Sequence, residues 1–415
     1  MDPLAFAAIA LALLGFALVS RLLDRGNITP PMVFVALGLL GGPLGLDLVD
    51  LKEQQTAFHL LAQLTLVLVL FTDAARLDLR ALREDLYLPA RLLLVGMPLS
   101  ILLGAVVGGF LLGDLLGWGG ALVLATVLVP TDAAISQAVV NHPRVPLKIR
   151  QSLNVESGLN DGVALPVILI ALCGANIIEA NHTVGFWLRF TLMQLILGPL
   201  VGAAVGYIGH RLLKLSMGRG WISGRYQDLA VLSLAPLAFA GAELIHGNGF
   251  IAAFVAGLVL GNVGHRLGER FYRFVEDEGQ LMSLLVFLGF AASFGADALE
   301  VLNARVVLYV VLSLTLIRML PVALSLRGTG SGWETALFLG WFGPRGIASM
   351  LFGMLVLNYE ASAYREPLMG VLAATVIASV FAHGLSARPG AVWYGRRMGG
   401  DRETAALRER PMGET

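Results

Sequence analysis

Apolar runs of about twenty residues recur along the chain, separated by short polar turns, and within each run the apolar positions are not confined to one helical face. A bilayer core about 30 Å thick needs roughly 20 mostly apolar residues per helix, so each run predicts a membrane span rather than an amphipathic helix of a soluble bundle. Thirteen runs qualify: 4–20, 29–46, 57–75, 91–113, 118–140, 149–174, 184–209, 227–245, 247–263, 278–296, 304–325, 333–357 and 367–386. The expected fold class is an all-α polytopic membrane protein of about thirteen transmembrane helices. Met1-Asp2-Pro3 lacks the basic start of a secretory signal, so the first run is expected to stay as a span.

Composition agrees with that pattern. Of 415 residues 57% are hydrophobic and 14% charged, with a mean hydropathy of +0.77; soluble domains carry roughly 25% charged residues, which excludes a soluble globule. Lys and Arg total 29, as do Asp and Glu, so no net field recruits nucleic acid. One cysteine, Cys173, supplies neither a disulfide nor a thiolate metal cluster. The balanced charge hides an asymmetry of position. With the N-terminus outside and an odd number of spans, twenty-three basic residues fall in inward loops and tail, against Lys52, Arg189, Arg305 and Arg365 outside. The excess of basic residues in cytoplasmic loops then places the N-terminus outside and the C-terminus in the cytoplasm of a cell-membrane protein. The tail, 388–415, is too short and charged to be expected to fold as a regulatory domain.

Ionisable groups inside a span cost several kcal/mol and usually face a partner or a water-filled cavity, which makes them the first functional candidates. Val129-Pro130-Thr131-Asp132 interrupts the fifth span with a proline and a carboxylate; the proline removes a backbone donor and leaves carbonyls that can bind a cation. On the sixth span, at 100° per residue, Glu156, Ser157, Asn160 and Asp161 share one sector of about 140° and can look into one cavity. Carboxylate, hydroxyl and carbonyl oxygens suit a hard monovalent cation, whereas His or Cys for a zinc-type metal is missing there. Arg318 and Arg345 are the mid-span cations. A guanidinium stays charged and carries no proton, so these two are read as pairing with Glu156 or Asp132, or as holding a broken helix end. Pro130 with Asp132 and Pro344 with Arg345 interrupt two spans in a similar way, the sequence sign of inverted repeats with a site at the midplane. Gly104/Gly108, Gly198/Gly202/Gly206 and Gly257/Gly261 are read as ordinary close packing, Asp73 as interfacial, and none of the seven histidines is assigned a role.

At these residues the chain resembles the cation/proton antiporter superfamily, in its branch of NhaP-type sodium/proton exchangers. Pro130 to Asp132, Glu156-Ser157 with Asn160-Asp161, the run Gly257 to Asn262, Arg318 and Gly343 to Ser349 appear in family order. The resemblance implies an NhaA-like antiporter fold with two crossing interrupted helices, and a homodimer whose interface domain (1–90 and 183–300) stays fixed while a transporting core (91–182 and 301–387) moves. It also implies Na⁺ bound at Asp161, Asp132, Ser157 and the Thr131 carbonyl, with Glu156 in support and neutralised by Arg318. Asn160 beside Asp161 implies electroneutral exchange. Phe71-Thr72-Asp73-Ala74-Ala75-Arg76 departs from the acidic, glycine-containing sequence usual in the family at the end of the third span.

The expected activity is exchange of Na⁺ or Li⁺ for H⁺ by competition at Asp161, with no cofactor and with lipid as the only other partner, nucleotide and nucleic acid excluded. A K⁺/H⁺ antiporter on the same scaffold is the alternative, and a cation channel or a non-transporting sensor follow. An enzyme is excluded because no nucleophile with an adjacent base and no phosphate-binding loop is present.

Overall fold

The structure is a computed structural model that describes residues 3–23, 26–49, 55–79, 87–132, 135–140, 142–175, 184–263, 269–357 and 365–398. These residues form helices and connecting turns, with no strand among them. In chain order the helices are α1 (Pro3–Leu23), α2 (Pro30–Gly41), α3 (Gln55–Ala75), α4 (Tyr87–Leu128), α5 (Gln137–Val140), α6 (Leu147–Gly174), α7 (Val184–Gly218), α8 (Gly224–Glu243) and α9 (Gly249–Val263). They continue with α10 (Glu269–Glu300), α11 (Ala304–Leu314), α12 (Leu316–Ser325), α13 (Trp333–Trp341), α14 (Ile347–Leu357) and α15 (Arg365–Arg397). Among the described residues eight segments are long and apolar enough to cross a membrane, and α2, α9 and α14 are shorter apolar helices.

Most expected spans meet one helix, and the departures have local causes. The runs 91–113 and 118–140 meet in α4, which turns at Gly117 with φ 62° and ψ 175°, a conformation that only glycine adopts without strain. The fifth run does not continue as a helix through 140: it stops at Leu128, passes through the irregular residues Val129 to Asp132, and resumes as α5. The twelfth run is likewise split into α13 and α14 by residues 342–346, and the eleventh is broken at Thr315 (φ −114°, ψ −95°). The last helix runs to Arg397, well past the expected boundary at 387, and of the tail only residues up to 398 are described.

Two of the three glycine spacings mark close approaches of backbone, while Gly104 and Gly108 meet side chains of Ala125, Ile317, Ala121 and Tyr309. A Cβ at Gly202 or Gly206 of α7 would collide with the carbonyls of Ala252 or Ala256 on α9, and one at Gly257 or Gly261 of α9 with those of Phe71 or Ala75 on α3. Three helices are thereby held at backbone contact. Asn262, one residue further along α9, then ties down the end of α3: its Nδ2 donates to the Leu77 carbonyl at 2.8 Å and its Oδ1 accepts from the Leu79 N–H at 2.9 Å. At the margin of the molecule α1 buries only Ala5, and an apolar groove of about 610 Å³ runs between it, α2 and Leu288 of α10.

Candidate functional site

The two interrupted helices meet at their broken ends. The Asp132 N–H donates to the Pro344 carbonyl at 2.9 Å, so the irregular segments after α4 and before α14 lie against each other. Each charged side chain then serves the other strand of the crossing. Arg345 Nη1 donates to the Val129 carbonyl at 2.9 Å, at the C-terminal end of α4. Asp132 Oδ2 accepts the Ile347 N–H at 2.8 Å, at the N-terminal end of α14. Helix C-termini carry partial negative charge and N-termini partial positive charge, so a guanidinium at the first and a carboxylate at the second both match the local field and satisfy orphaned backbone groups. Gly346 is required between them, because a Cβ there would collide with the Asp132 carboxylate. The Arg345 N–H donates to Ser379 Oγ at 2.7 Å, which anchors the crossing to α15.

The α6 residues face this crossing from one side. Ser157 Oγ donates to the Thr131 carbonyl at 2.7 Å, and Asn160 Nδ2 donates to Thr131 Oγ1 at 2.8 Å. Glu156 pairs with Arg318 of α12, Oε1 to Nη2 at 2.5 Å, with both side chains buried. A Cβ on Gly343 would collide with the Arg318 guanidinium, so the crossing segment and the ion pair are in contact. Of the two pairings open for the arginines, Arg318 takes Glu156 and Arg345 takes a helix end. Asp161 is 2% exposed, and its Oδ1 has no hydrogen-bond partner. Asp132 and Asp73 are the carboxylates that act on it electrostatically.

A crevice of about 130 Å³ lined by Asp73, Arg76, Gln137, Arg150, Gln151 and Asn154 lies along the N-terminal half of α6. Asn154 Nδ2 donates to the Asp73 carbonyl at 3.2 Å, joining α6 to the end of α3 there. Asp73, expected at the interface, is half-buried in the crevice wall. His383, near a span end by sequence, is buried within the longer α15, its Nδ1 2.8 Å from the Ser379 carbonyl and its ring against Trp341. Sequence reasoning missed Ser379 and Asn154 as parts of the site. A serine inside an apolar run carries no signal by itself, and neither partner lies near in sequence.

The chain belongs to the family described as "Sodium/hydrogen exchanger, transmembrane", which it matches over residues 9–393. This is a family of membrane transporters, not enzymes, and the resemblance to its NhaP-type members holds. Similar proteins include a K(+)/H(+) antiporter NhaP from Alkalimonas amylolytica, 27% identical over 87% of this chain and 62% of its own length. Another is a K(+)/H(+) antiporter NhaP2 from Shewanella sp. (strain MR-4), 28% identical over 59% of this chain and 42% of its own. A Na(+)/H(+) antiporter 2 from Zygosaccharomyces rouxii is 26% identical over 57% of this chain and 31% of its own. The chain thus matches less than two thirds of the length of these relatives. Among solved structures, the sodium proton antiporter MjNhaP1 from Methanocaldococcus jannaschii at pH 8 superposes with a TM-score of 0.75 at 19% identity, covering 94% of this chain and 98% of that one. The two share a fold.

Proposed function

We propose that the protein exchanges a monovalent cation, Na⁺ in the first place, for H⁺ across the cell membrane, both competing for Asp161. The observation that carries this reading is the Asp161 carboxylate, buried beside a helix crossing, with an oxygen that has no hydrogen-bond partner. A bare carboxylate at that depth is costly, so the stable forms are the protonated one and the cation-bound one, and only these cross. The Thr131 carbonyl, the Ser157 hydroxyl and the Asp132 carboxylate complete an all-oxygen donor set around the cation, with Glu156, Asn160, Arg318 and Arg345 holding the framework. K⁺ as cargo is the second reading, favoured by the names of the bacterial relatives.

In this reading thirteen spans, five of them short or broken, form an NhaA-like antiporter with inverted repeats and a cytoplasmic C-terminus. Residues 91–182 and 301–387 move as the core; 1–90 and 183–300 form the dimer interface, to which the exposed α1 gives support. Exchange is electroneutral. The test is a pH-dye assay in proteoliposomes with Na⁺, Li⁺ and K⁺ supplied in turn. The wild type collapses a preset pH gradient only when a cation is added, and Asp161→Asn reduces the rate to background; persistent exchange by Asp161→Asn overturns the assignment.

A further inference from the structure

The turn between α8 and α9 carries a buried side chain that the exchange reading does not use. Asn248 is fully buried and caps α9: its backbone carbonyl accepts the Ala252 N–H at 3.0 Å and its Oδ1 the Ile251 N–H at 3.0 Å. Capping needs only those oxygens, and Asp, Ser or Thr would supply them. What asparagine adds is a nitrogen, and both of its N–H groups are used. Nδ2 donates to Gln194 Oε1 of α7 at 3.1 Å and to the Gly162 carbonyl of α6 at 2.8 Å.

The Gly162 carbonyl accepts from outside its helix for a local reason. Its partner within α6 would be the N–H four residues on, and that residue is Pro166. Gly162 directly follows Asp161, so the bond from Asn248 lands on the peptide beside the proposed exchange site. The turn that holds Asn248 is itself fixed: the Gly247 N–H donates to the Ala242 carbonyl at 2.8 Å, and the Gly249 N–H to Glu243 Oε1 at 2.9 Å. The seat is tight as well, since a Cβ on Gly158 would collide with the Phe254 ring and one on Gly162 with Ile251. Along α6 the order is therefore crevice at 150–154, Asp161, then the Asn248 contact. The contact lies on the side of Asp161 away from the crevice.

Resting on the exchange reading, in which α6 moves against α7 and α9, we propose that Asn248 is a positioning residue for transport. It clasps the carbonyl left over by Pro166, holds the conformation in which the crevice along the N-terminal half of α6 is open, and releases it whenever α6 travels. Loss of one net hydrogen bond, about 1 kcal/mol, biases such an equilibrium about fivefold.

The experiment uses full-length protein in proteoliposomes carrying Cys173→Ala, which removes the lone cysteine, and Gln151→Cys as a reporter in the crevice. Labelling of the reporter by a membrane-impermeant maleimide and Na⁺/H⁺ exchange are both measured. Asn248→Ala is expected to slow labelling about fivefold. Pro166→Ala restores an N–H to Gly162, so in that background Asn248→Ala changes labelling by less than about twofold. Asn248→Asp keeps the cap and loses the donor; it behaves like Asn248→Ala and serves where the alanine variant does not accumulate. Unchanged labelling in Asn248→Asp, or an effect of Asn248→Ala equal in both backgrounds, overturns the proposal. Failure of the exchange reading shows separately, as a reporter protein that labels but exchanges none of the three cations.

Discussion

Asp132 closes a helix end and lies beside the proposed exchange site, so its two uses can be separated by substitution. Its Oδ2 is bonded to the Ile347 N–H, and an asparagine retains an oxygen for that bond while losing the charge. Asp132→Ala loses both, leaving the first turn of α14 uncapped in a buried setting. The expected cost in stability is about 1–2 kcal/mol for alanine and well under half of that for asparagine. Thermal unfolding of the detergent-purified protein measures it; exchange is expected to fall in both variants, because both lose the negative charge that acts on Asp161. Equal thermal stability of the two would show that the cap contributes nothing. Glu156 follows another logic: its charge is matched by Arg318 inside the protein, and such a pair is costly to break from either side.

At the scale of elements the same backbone contacts that assemble the fold predict where it fails. Gly261 of α9 lies against the Ala75 carbonyl of α3, a backbone atom that cannot rotate away as a side-chain tip would. Gly261→Ala is expected to lower stability by about 1–3 kcal/mol through forced separation of the two helices. Gly174, with nothing near its Cβ position, is the control and is expected to tolerate alanine at little cost. Melting temperatures of the two variants decide between these outcomes. Much of this architecture was legible from the chain. Long apolar runs declare helices, and Pro130 with Asp132 and Pro344 with Arg345 declare the interruptions, whereas Pro166, Pro199, Pro236, Pro321 and Pro389 lie inside continuous helices and mark none. The break at Thr315 was not legible, since no proline or glycine marks it. The pairing of Arg318 with Glu156 was implied by the family resemblance though left open by the residues alone, and the choice of the Val129 carbonyl for Arg345 was hidden. Sequence reveals which buried charges need partners, but long-range packing chooses among them. Asn248 carried a weak sign, an asparagine just before an apolar run, that announces a helix cap but not its second bond to Gly162.

The arginine-rich end of the molecule sets a pH response of its own. His142, in the turn after α5, has its pKa lowered from 6.5 by burial first and then by Arg144, Arg388 and Arg150. A depressed histidine favours the neutral form in the folded protein. Its contribution to stability is complete above the unfolded value of 6.5 and is lost as pH falls through the lower folded value. Stability is expected to decline as pH falls below about 6.5, and His142→Asn to flatten that decline; parallel thermal scans through that range measure both.

In the proposed exchange, charge also sets the expected stoichiometry of the whole cycle. The buried groups at the crossing comprise Asp132, Glu156 and Asp161 against Arg318 and Arg345. With all ionised, one negative charge is left uncompensated, and a single Na⁺ or a single H⁺ at Asp161 cancels it. Either loaded core then crosses without net charge, so membrane potential does no work on the exchange. In proteoliposomes with opposing gradients, the Na⁺ ratio that just stops proton movement should equal the proton ratio, at zero potential and at about −100 mV alike. If two protons crossed per cation, one net charge would move in each cycle. A potential of 100 mV acting on one charge is worth about 2.3 kcal/mol, which would displace the balancing ratio about fiftyfold. A shift of that size is easily resolved, and its appearance would mean that a second carboxylate, with Asp132 the nearest candidate by its action on Asp161, gives up a proton in the cycle.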